Sequence, residues 1–241
     1  MCTVSFVNVN NKIIITSNRD EKIIRPSAIP PKNYNINGKN VIFPKDPKAG
    51  GTWYVVDEKG TVLVLLNGAD EKHQVEPLYR KSRGLIVLEL ISENSPKDFW
   101  NKIDLENIEP FTLVLFQENQ LFQLRWNGSN KEKIYLDINE KHIWSSSTLY
   151  PIDIRKERAE LFYSFLENKE LPSEEDMYQF HRYTDNENTE NGLVINRNGE
   201  MKTLSITQSV IEQNKVAILH YDLIANEDFE TSFSVVKNSC W

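Results

Sequence analysis

The order of the predicted elements is the feature that most constrains the fold of this 241-residue chain, because strands cluster at both ends and helices lie between them. Residues 2–9 and 12–17 are rich in Val, Ile, Phe, Thr and Ser, and Asn10 and Asn11 between them suit a two-residue turn with positive φ. Strands and helices do not alternate as a parallel sheet requires. We therefore predict an α+β fold of antiparallel sheets.

Two of the predicted strands are apolar on both faces. Residues 62–66 and 111–116 contain almost no polar side chain, whereas a sheet with one face in water alternates apolar and polar residues. Two sheets packed face to face, each covered outside by helices, would bury such strands, and we predict one domain over residues 1–241 on this plan. Strands are predicted at residues 52–56, 61–66, 111–117, 120–126, 133–136, 192–196, 201–207, 216–221 and 229–236, and helices at residues 83–92, 96–105, 151–168 and 173–183.

The segment at residues 25–51 is expected to be a long surface loop with one short strand at residues 40–43. Proline fixes φ and cannot donate a backbone hydrogen bond, so a proline-rich stretch does not continue a helix or a central strand. The prolines of this segment are Pro26, Pro30, Pro31, Pro44 and Pro47.

The composition excludes several classes of function. The net charge of -7 disfavours non-specific binding to nucleic acid, because that affinity needs a basic surface. No run approaches the roughly 18 to 20 apolar residues of a membrane-spanning helix, and the first residues turn polar too early for a secretory signal. Two cysteines cannot form a disulfide scaffold. We expect a cytoplasmic protein with no nucleic-acid partner and no membrane span, and a homo-oligomer stays open.

Metal and cofactor motifs are absent from the sequence. The histidines, His73, His142, His181 and His220, have no His-x-His or His-Glu-x-x-His spacing, so we predict no metal site. No glycine-rich phosphate loop and no Gly-x-Ser-x-Gly motif occurs, and we expect no cofactor.

Arg80, Lys81 and Arg83 form a small basic cluster at the start of a predicted helix. Such a cluster is usually a solvated face. As a functional feature, it would receive an anionic carboxylate of a substrate.

Cys2 carries the main chemical signal. Removal of Met1 is efficient when the next side chain is small, and Cys2 would then carry both a thiol and an α-amino group, which titrate within about two pH units of neutrality. The amine can act as the base for its own side-chain nucleophile. The alternative is that Cys2 is a small buried apolar residue at the start of a strand.

A hairpin with a two-residue loop places Arg19 opposite Cys2, with Asp20 beside it, unless a bulge shifts the register by one residue. A guanidinium favours the thiolate, and a carboxylate can hold the new ammonium group. Alternatively, Arg19 and Asp20 form an exposed ion pair at a strand end. A disulfide between Cys2 and Cys240 is a further alternative, which a reducing setting disfavours.

These residues belong to a wider set of motifs. The string at residues 18–21, Asn-Arg-Asp-Glu, follows a cysteine at position 2 and precedes Gly-Gly-Thr-Trp at residues 50–53. With the blocks at residues 65–68, 79–84 and 144–150, this combination resembles the NRDE family, also called the transport and Golgi organisation two family. More distantly, the family resembles the N-terminal nucleophile hydrolases of the choloylglycine hydrolase and penicillin V acylase group, which implies a four-layer αββα sandwich.

The resemblance to those acylases implies roles for four catalytic residues. Cys2 would be the nucleophile, and Arg19 would support the substrate and the thiolate. Asp20 would orient the α-amine. Asn67, at the end of a predicted strand, would donate a hydrogen bond to the oxyanion.

Substrate contacts are implied less directly. Asn18, Trp53 and Ser146 are the candidates, and for Trp53 a place in the core is the simpler interpretation. The acylases carry an asparagine where this chain has the serine run 145–147, which is less suited to a fixed donor. The candidates for a later arginine of the acylases are Arg155, Arg158 and Arg182.

The leading hypothesis is an N-terminal cysteine amidohydrolase that acts on a non-peptide C–N amide bond of a small molecule after removal of Met1. The alternative is a non-catalytic protein on the same fold that binds or traffics haem or another apolar, lipid-like ligand, since relatives of the family are linked to haem trafficking and lipid homeostasis. A plain interaction module is the third hypothesis.

Overall fold

A computed structural model of the chain describes residues 3–235. The strands in this range are β1 (Thr3–Val9), β2 (Lys12–Lys22), β3 (Ile29–Ile36), β4 (Lys39–Lys45), β5 (Tyr54–Asp57), β6 (Val62–Asn67), β7 (Phe111–Gln117), β8 (Gln120–Trp126), β9 (Lys131–Leu136), β10 (His142–Ser145), β11 (Asn196–Arg197), β12 (Met201–Glu212), β13 (Lys215–Asp222) and β14 (Glu227–Ser234). The helices are α1 (Arg83–Ser92), α2 (Pro96–Phe99), α3 (Ile152–Glu167) and α4 (Glu174–Tyr183).

The described strands form two antiparallel sheets. The first sheet has the order β10-β1-β2-β12-β13-β14, with β11 beside β12, and the second has the order β3-β4-β5-β6-β7-β8-β9. Helices α3 and α4 contact the first sheet, whereas α1 and α2 contact the second. This arrangement confirms the predicted α+β sandwich, in which helices cover two stacked sheets. That residues 1–241 form one domain stays a prediction.

Strand β2 contributes to two separate cores. Ile13 and Ile15 belong to the large core between the two sheets. Ile14, between them in the chain, belongs to a smaller core with Phe162 of α3 and Phe180 of α4. Because successive residues of a strand point to opposite faces, β2 is buried on both sides. The same alternation decides the direction of each polar side chain farther along the strand.

The opening hairpin has the predicted register. Its turn residues Asn10 and Asn11 have φ values of 51° and 64°, as a two-residue turn between twisted strands requires. Pairing runs from this turn to Thr3 opposite Asn18. β2 continues past residue 17, where the sequence predicts its end, because β12 pairs with it along its length.

The prediction of a long loop over residues 25–51 is wrong for residues 29–45, although the short strand predicted at residues 40–43 is confirmed as part of β4. β3 and β4 form a hairpin there, with a turn at Asn37 and Gly38, whose φ values are 53° and 83°. Pro30 and Pro31 lie in β3, the terminal strand of the second sheet as described. An edge strand tolerates proline because one row of its N–H groups has no partner strand, and the register with β4 shifts across these two residues.

Smaller differences from the prediction occur in several elements. α2 ends at Phe99 instead of continuing to residue 105, and the strand predicted at residues 192–196 is reduced to β11. β10 was not predicted, since it has only four residues and lies half-buried beside β1. The helices predicted at residues 83–92, 151–168 and 173–183 are confirmed to within one residue at each end.

Strand β12 extends past its predicted end at residue 207 because buried polar residues continue it. The side-chain amide of Gln208 donates to the Thr16 hydroxyl at 2.9 Å and to the carbonyl of Glu174 at 3.0 Å. These bonds satisfy the amide on the face of the first sheet that α4 covers. A polar residue that is satisfied in this way does not mark the end of a strand.

His181 of α4 ties that helix to both strands of the opening hairpin. Its Nε2 accepts a hydrogen bond from the Ser5 hydroxyl at 2.7 Å, and its Nδ1–H donates to Asn18 Oδ1. Burial, with the positive charge of Arg158, lowers the pKa of His181 to about 3. The imidazole is therefore neutral in the folded protein near neutral pH.

We expect the free energy of unfolding to decrease as the pH falls below about 6.5. The unfolded chain then protonates His181, whereas the folded protein does not until about pH 3, so this residue alone costs about 1.4 kcal/mol per pH unit. His220, whose pKa burial lowers to about 4, acts in the same direction. Urea unfolding at about pH 7.5, 6 and 5 measures the slope.

The variant His181→Gln is the control for this prediction. It should be less stable than the parent near neutral pH and should lose stability less steeply as the pH falls. Parallel slopes in the parent and the variant would contradict the assignment.

Candidate functional site

The amino-terminal end of β1 is the centre of the candidate site. Thr3 pairs with Asn18 of β2 on one side and with Ser145 of β10 on the other. Cys2 and Cys240 lie outside the described residues, and the nucleophile role of Cys2 stays a prediction. The site is therefore built from the residues that surround Thr3.

Arg19 follows Asn18 on β2 and points into the space between the two sheets. Its guanidinium carbon lies 4.3 Å from the centre of the Trp53 ring, and only 3% of the residue is exposed. Glu21 and Asp46 each bring a carboxylate oxygen to 3.9 Å from its Nη2. The ring face and the two carboxylates offset the cost of burying this charge.

A cavity of about 280 Å³ opens beside Arg19. Asn67, the last residue of β6, lines the same cavity. No hydrogen bond joins the side-chain amide of Asn67 to any residue between Thr3 and Val235, although its backbone carbonyl is bonded. An amide N–H in this position is available to a ligand oxygen. The predicted pair Arg19 and Asn67 thus meets in one space, although the two residues come from different sheets.

The Gly-Gly-Thr-Trp string allows β5 and α1 to approach each other at the cavity wall. A Cβ on Gly51 would lie 2.7 Å from the carbonyl oxygen of Gly84, and a Cβ on Gly84 would lie 2.9 Å from that of Thr52. The N–H of Thr52 donates to the Gly84 carbonyl at 3.2 Å. Trp53 follows Thr52 in the chain, and Arg83 precedes Gly84. The close contact therefore brings both side chains to the same cavity.

Asp20 points to the opposite face of the first sheet, toward the helices. Its Oδ2 accepts a hydrogen bond from the Tyr150 hydroxyl at 2.7 Å, and its Oδ1 accepts one from the Thr203 hydroxyl at 2.6 Å. Arg19 and Asp20 are consecutive in β2, so strand alternation puts them on opposite faces. They therefore lie on the two sides of the sheet next to the end of β1.

Arg158 of α3 holds the end of β1 from the helix side. It is 1% exposed, and its Nη1 donates to the Thr3 hydroxyl at 2.6 Å. Its Nε donates to the carbonyl of Asn191 at 3.0 Å, and its Nη2 donates to that of Gly192. The guanidinium also stacks 3.5 Å from the centre of the Tyr150 ring, the same ring whose hydroxyl binds Asp20.

Among the candidates for a later arginine, only Arg158 contacts the described end of β1. Arg155 instead donates to the carbonyl of Asp70. The sequence spacing indicates that Arg158 lies on the buried face of α3, because it stands four residues before Phe162 and eight before Leu166, which are both buried. An arginine within an apolar helical stripe is buried, and it needs partners.

Asn18 has a structural place on the helix side. Its Nδ2 donates to the carbonyl of His181 at 3.0 Å and to that of Leu193 at 2.7 Å. With Oδ1 bonded to the His181 ring, its amide connects β2 to two neighbouring segments. Its role as a substrate contact stays a prediction.

The other two predicted substrate contacts lie near Asn67. The Ser146 hydroxyl donates a hydrogen bond to the Asn67 carbonyl at 2.8 Å, and this bond holds the end of β6. Trp53 lines the cavity with Arg19 stacked on its ring, so it is both a core residue and a wall residue. A second cavity of about 150 Å³ is lined by both Ser146 and Asn67.

The predicted basic cluster is divided between two environments. Arg83 lines the cavity, where its Nη2 lies 3.0 Å from a carboxylate oxygen of Glu109. Arg80 pairs with Asp104 at 3.1 Å, outside the set of cavity residues. Of this cluster, Arg83 is the member that lines the cavity.

Between residues 3 and 235, no group of three His, Cys, Asp or Glu side chains is arranged to hold a metal ion. No helix in that range has the length and apolar character needed to cross a membrane.

Two stacked antiparallel sheets between layers of helices, with the amino-terminal strand inside the first sheet, define the fold of the N-terminal nucleophile hydrolases. The Caenorhabditis elegans ortholog of N-acylethanolamine-hydrolyzing acid amidase matches with a TM-score of 0.62 and 10% identity, over 86% of this chain and 92% of that one. A mutant of the conjugated bile acid hydrolase from Clostridium perfringens matches with a TM-score of 0.51 and 10% identity, over 100% of both chains. At such identities the likeness concerns the fold alone.

The chain belongs to the family Transport and Golgi organisation 2, whose sequence model matches residues 1–156. This match confirms the family that the Asn-Arg-Asp-Glu string and its companion motifs indicate. A search of curated proteins gave no match.

Replacing Arg158 with alanine should lower the free energy of unfolding by about 3 kcal/mol, because the Thr3 hydroxyl and two backbone carbonyls would lose a buried donor. Urea unfolding of the two proteins measures the difference. Arg155→Ala, on the more exposed side of the same helix, is the matched control and should cost less than about 1 kcal/mol. Equal losses in the two variants would contradict the role given to Arg158.

Proposed function

We propose that the protein is an N-terminal cysteine amidohydrolase that cleaves a non-peptide C–N amide bond after removal of Met1. The observation that carries this proposal is the cavity that Arg19 and Asn67 share, near the end of the sheet where β1 begins. Arg19 supplies positive charge, and the Asn67 amide supplies a hydrogen-bond donor without a partner in the described chain. A thiolate and a developing oxyanion need these two features.

In the proposed reaction, the α-amine of Cys2 takes the thiol proton and Sγ forms a bond to the amide carbonyl carbon. The carbonyl π electrons move to the oxygen, which accepts a hydrogen bond from the Asn67 amide. Collapse of this intermediate breaks the C–N bond, and the amine leaves with the proton. Water then cleaves the thioester, which releases the carboxylic acid and restores the thiol.

Asp20 has the proposed role of orienting the α-amine. Its two hydroxyl partners, Tyr150 and Thr203, hold the carboxylate in a fixed direction on the helix side of the sheet. A carboxylate fixed in this way holds an ammonium group by a charge-assisted hydrogen bond. A reducing compartment keeps a thiol nucleophile free, and the proposal includes a cytoplasmic location.

Cys2→Ala should abolish hydrolysis across a panel of small-molecule amides, because no other thiol takes the place of the nucleophile. Asn67→Ala should lower kcat by about 10²- to 10³-fold, which is the effect of removing one oxyanion donor. Steady-state kinetics on the parent and each variant measures both effects. Cys240→Ala is the matched control and should retain the parent rate. Hydrolysis that survives Cys2→Ala would contradict the proposal.

A second candidate function, binding of haem or a lipid-like ligand, has one observation in its favour. An open groove of about 580 Å³ lies beside α3, and its lining includes the apolar residues Leu149 and Ile152. The charged residues of the lining are Lys72 and Arg155 with Asp70 and Glu71. The apolar surface suits a lipid-like ligand. This groove does not include Arg19 or Asn67.

The groove offers a direct test of the second function. If the protein carries such a ligand, Ile152→Asp should weaken haem binding at least about tenfold by placing a charge on the apolar surface, and Cys2→Ala should leave it unchanged. Titration of haem followed by its absorbance measures the affinity. Equal binding by the parent and Ile152→Asp would remove the groove as the site.

A further inference from the structure

We propose that the cavity beside Arg19 selects small zwitterionic amides, whose acyl part carries both an ammonium and a carboxylate group. This inference rests on the hydrolase proposed above and names the class of its substrate. It is carried by the other charged residues of the cavity, by their pairing and by the size of the cavity, since the proposed reaction uses only Arg19 and Asn67 of this lining.

The cavity wall holds equal numbers of cationic and anionic side chains. Arg25 and Asp46 form an ion pair at 2.7 Å, and Arg83 and Glu109 form another at 3.0 Å. The charged residues that line the cavity are the guanidinium groups of Arg19, Arg25 and Arg83 and the carboxylates of Glu21, Asp46 and Glu109. A ligand with a net charge would leave one sign unmatched, whereas a zwitterion meets both.

Two of these groups keep capacity for a ligand. A guanidinium has five N–H donors, and the contacts of Arg83 with Glu109 and the Pro110 carbonyl use two of them. Glu21 Oε1 accepts a hydrogen bond from the Lys22 N–H at 3.0 Å, whereas Oε2 lies 3.7 Å from Arg25 Nε and 3.9 Å from Arg19 Nη2, distances longer than a hydrogen bond. Arg83 is therefore suited to a ligand carboxylate, and Glu21 is suited to a ligand ammonium group.

Size and polarity argue against a long acyl chain in this cavity. The apolar side chains in its lining are Ala49, Trp53 and Leu65, and Arg19 covers a face of the Trp53 ring. A fatty acyl chain placed in about 280 Å³ would displace water from six charged groups without returning any hydrogen bond. A small polar acyl group with its own donors and acceptors fits the same volume at lower cost.

The test uses p-nitroanilides, whose amide hydrolysis releases coloured p-nitroaniline. The γ-glutamyl anilide carries both charges, the glutaryl anilide carries only the carboxylate, and the butyryl and palmitoyl anilides carry neither. We expect kcat/KM for the γ-glutamyl anilide to exceed that for the butyryl anilide by about 10- to 100-fold, the effect of one charge-assisted hydrogen bond. Arg83→Gln should reduce this preference to less than about threefold. Glu21→Gln should reduce the excess of kcat/KM for the γ-glutamyl anilide over that for the glutaryl anilide.

Arg80→Gln is the matched control, since Arg80 belongs to the same basic cluster but pairs with Asp104 away from the cavity. It should keep the full preference. Hydrolysis that depends on Cys2 but favours the butyryl or palmitoyl anilide would overturn the substrate class and leave the hydrolase standing.

Failure of the hydrolase itself gives a different result. If no anilide is cleaved, calorimetry with glutamine and with butyramide measures binding directly. Binding of glutamine alone, lost in Arg83→Gln, would support the zwitterion site while the hydrolase proposal falls. Absence of glutamine binding together with absence of hydrolysis would overturn both.

Discussion

The guanidinium of Arg19 lies between two largely apolar sheets, where an unpaired charge would be costly, and the surrounding site is arranged to compensate for it. The Trp53 ring covers one side, and Glu21 and Asp46 supply negative charge at 3.9 Å. Burial acts to raise the pKa of Asp46, but hydrogen bonds from the Ala49 N–H and from the Arg25 side chain outweigh it and hold that pKa below its ordinary value. The carboxylate therefore stays ionised, and a polar cavity persists inside an apolar sandwich.

The helix side of the same sheet holds the other half of the site. Arg158 binds the Thr3 hydroxyl and stacks on Tyr150, whose own hydroxyl binds Asp20. The end of β1 is thus fixed by a helix above it and by paired strands on both edges. A four-layer fold can supply these contacts from both faces at once, which places the end of β1 next to the cavity with partners on each side.

Local chemistry explains which parts of the structure the sequence predicts. The turn at Asn10 and Asn11 sets the hairpin register, and strand alternation then separates Arg19 from Asp20. By contrast, the sequence of a single segment does not show whether its strand lies at the edge of a sheet. The prolines of β3 therefore predict a loop where the structure has an edge strand. The meeting of Arg19 with Asn67 is non-local, and only the resemblance to a family connects them in advance. Arg158 has a helical signal, but its partners lie in β1 and in the segment after α4.

The proposed reaction depends on Cys2 becoming the first residue and on its thiol being the reactive one. The most direct measurement is the intact mass of the purified protein, combined with peptide mapping after brief treatment with iodoacetamide near neutral pH. We predict a mass without Met1 and alkylation of Cys2 well ahead of Cys240. Retention of Met1, or alkylation of the two cysteines at the same rate, would contradict an N-terminal cysteine nucleophile.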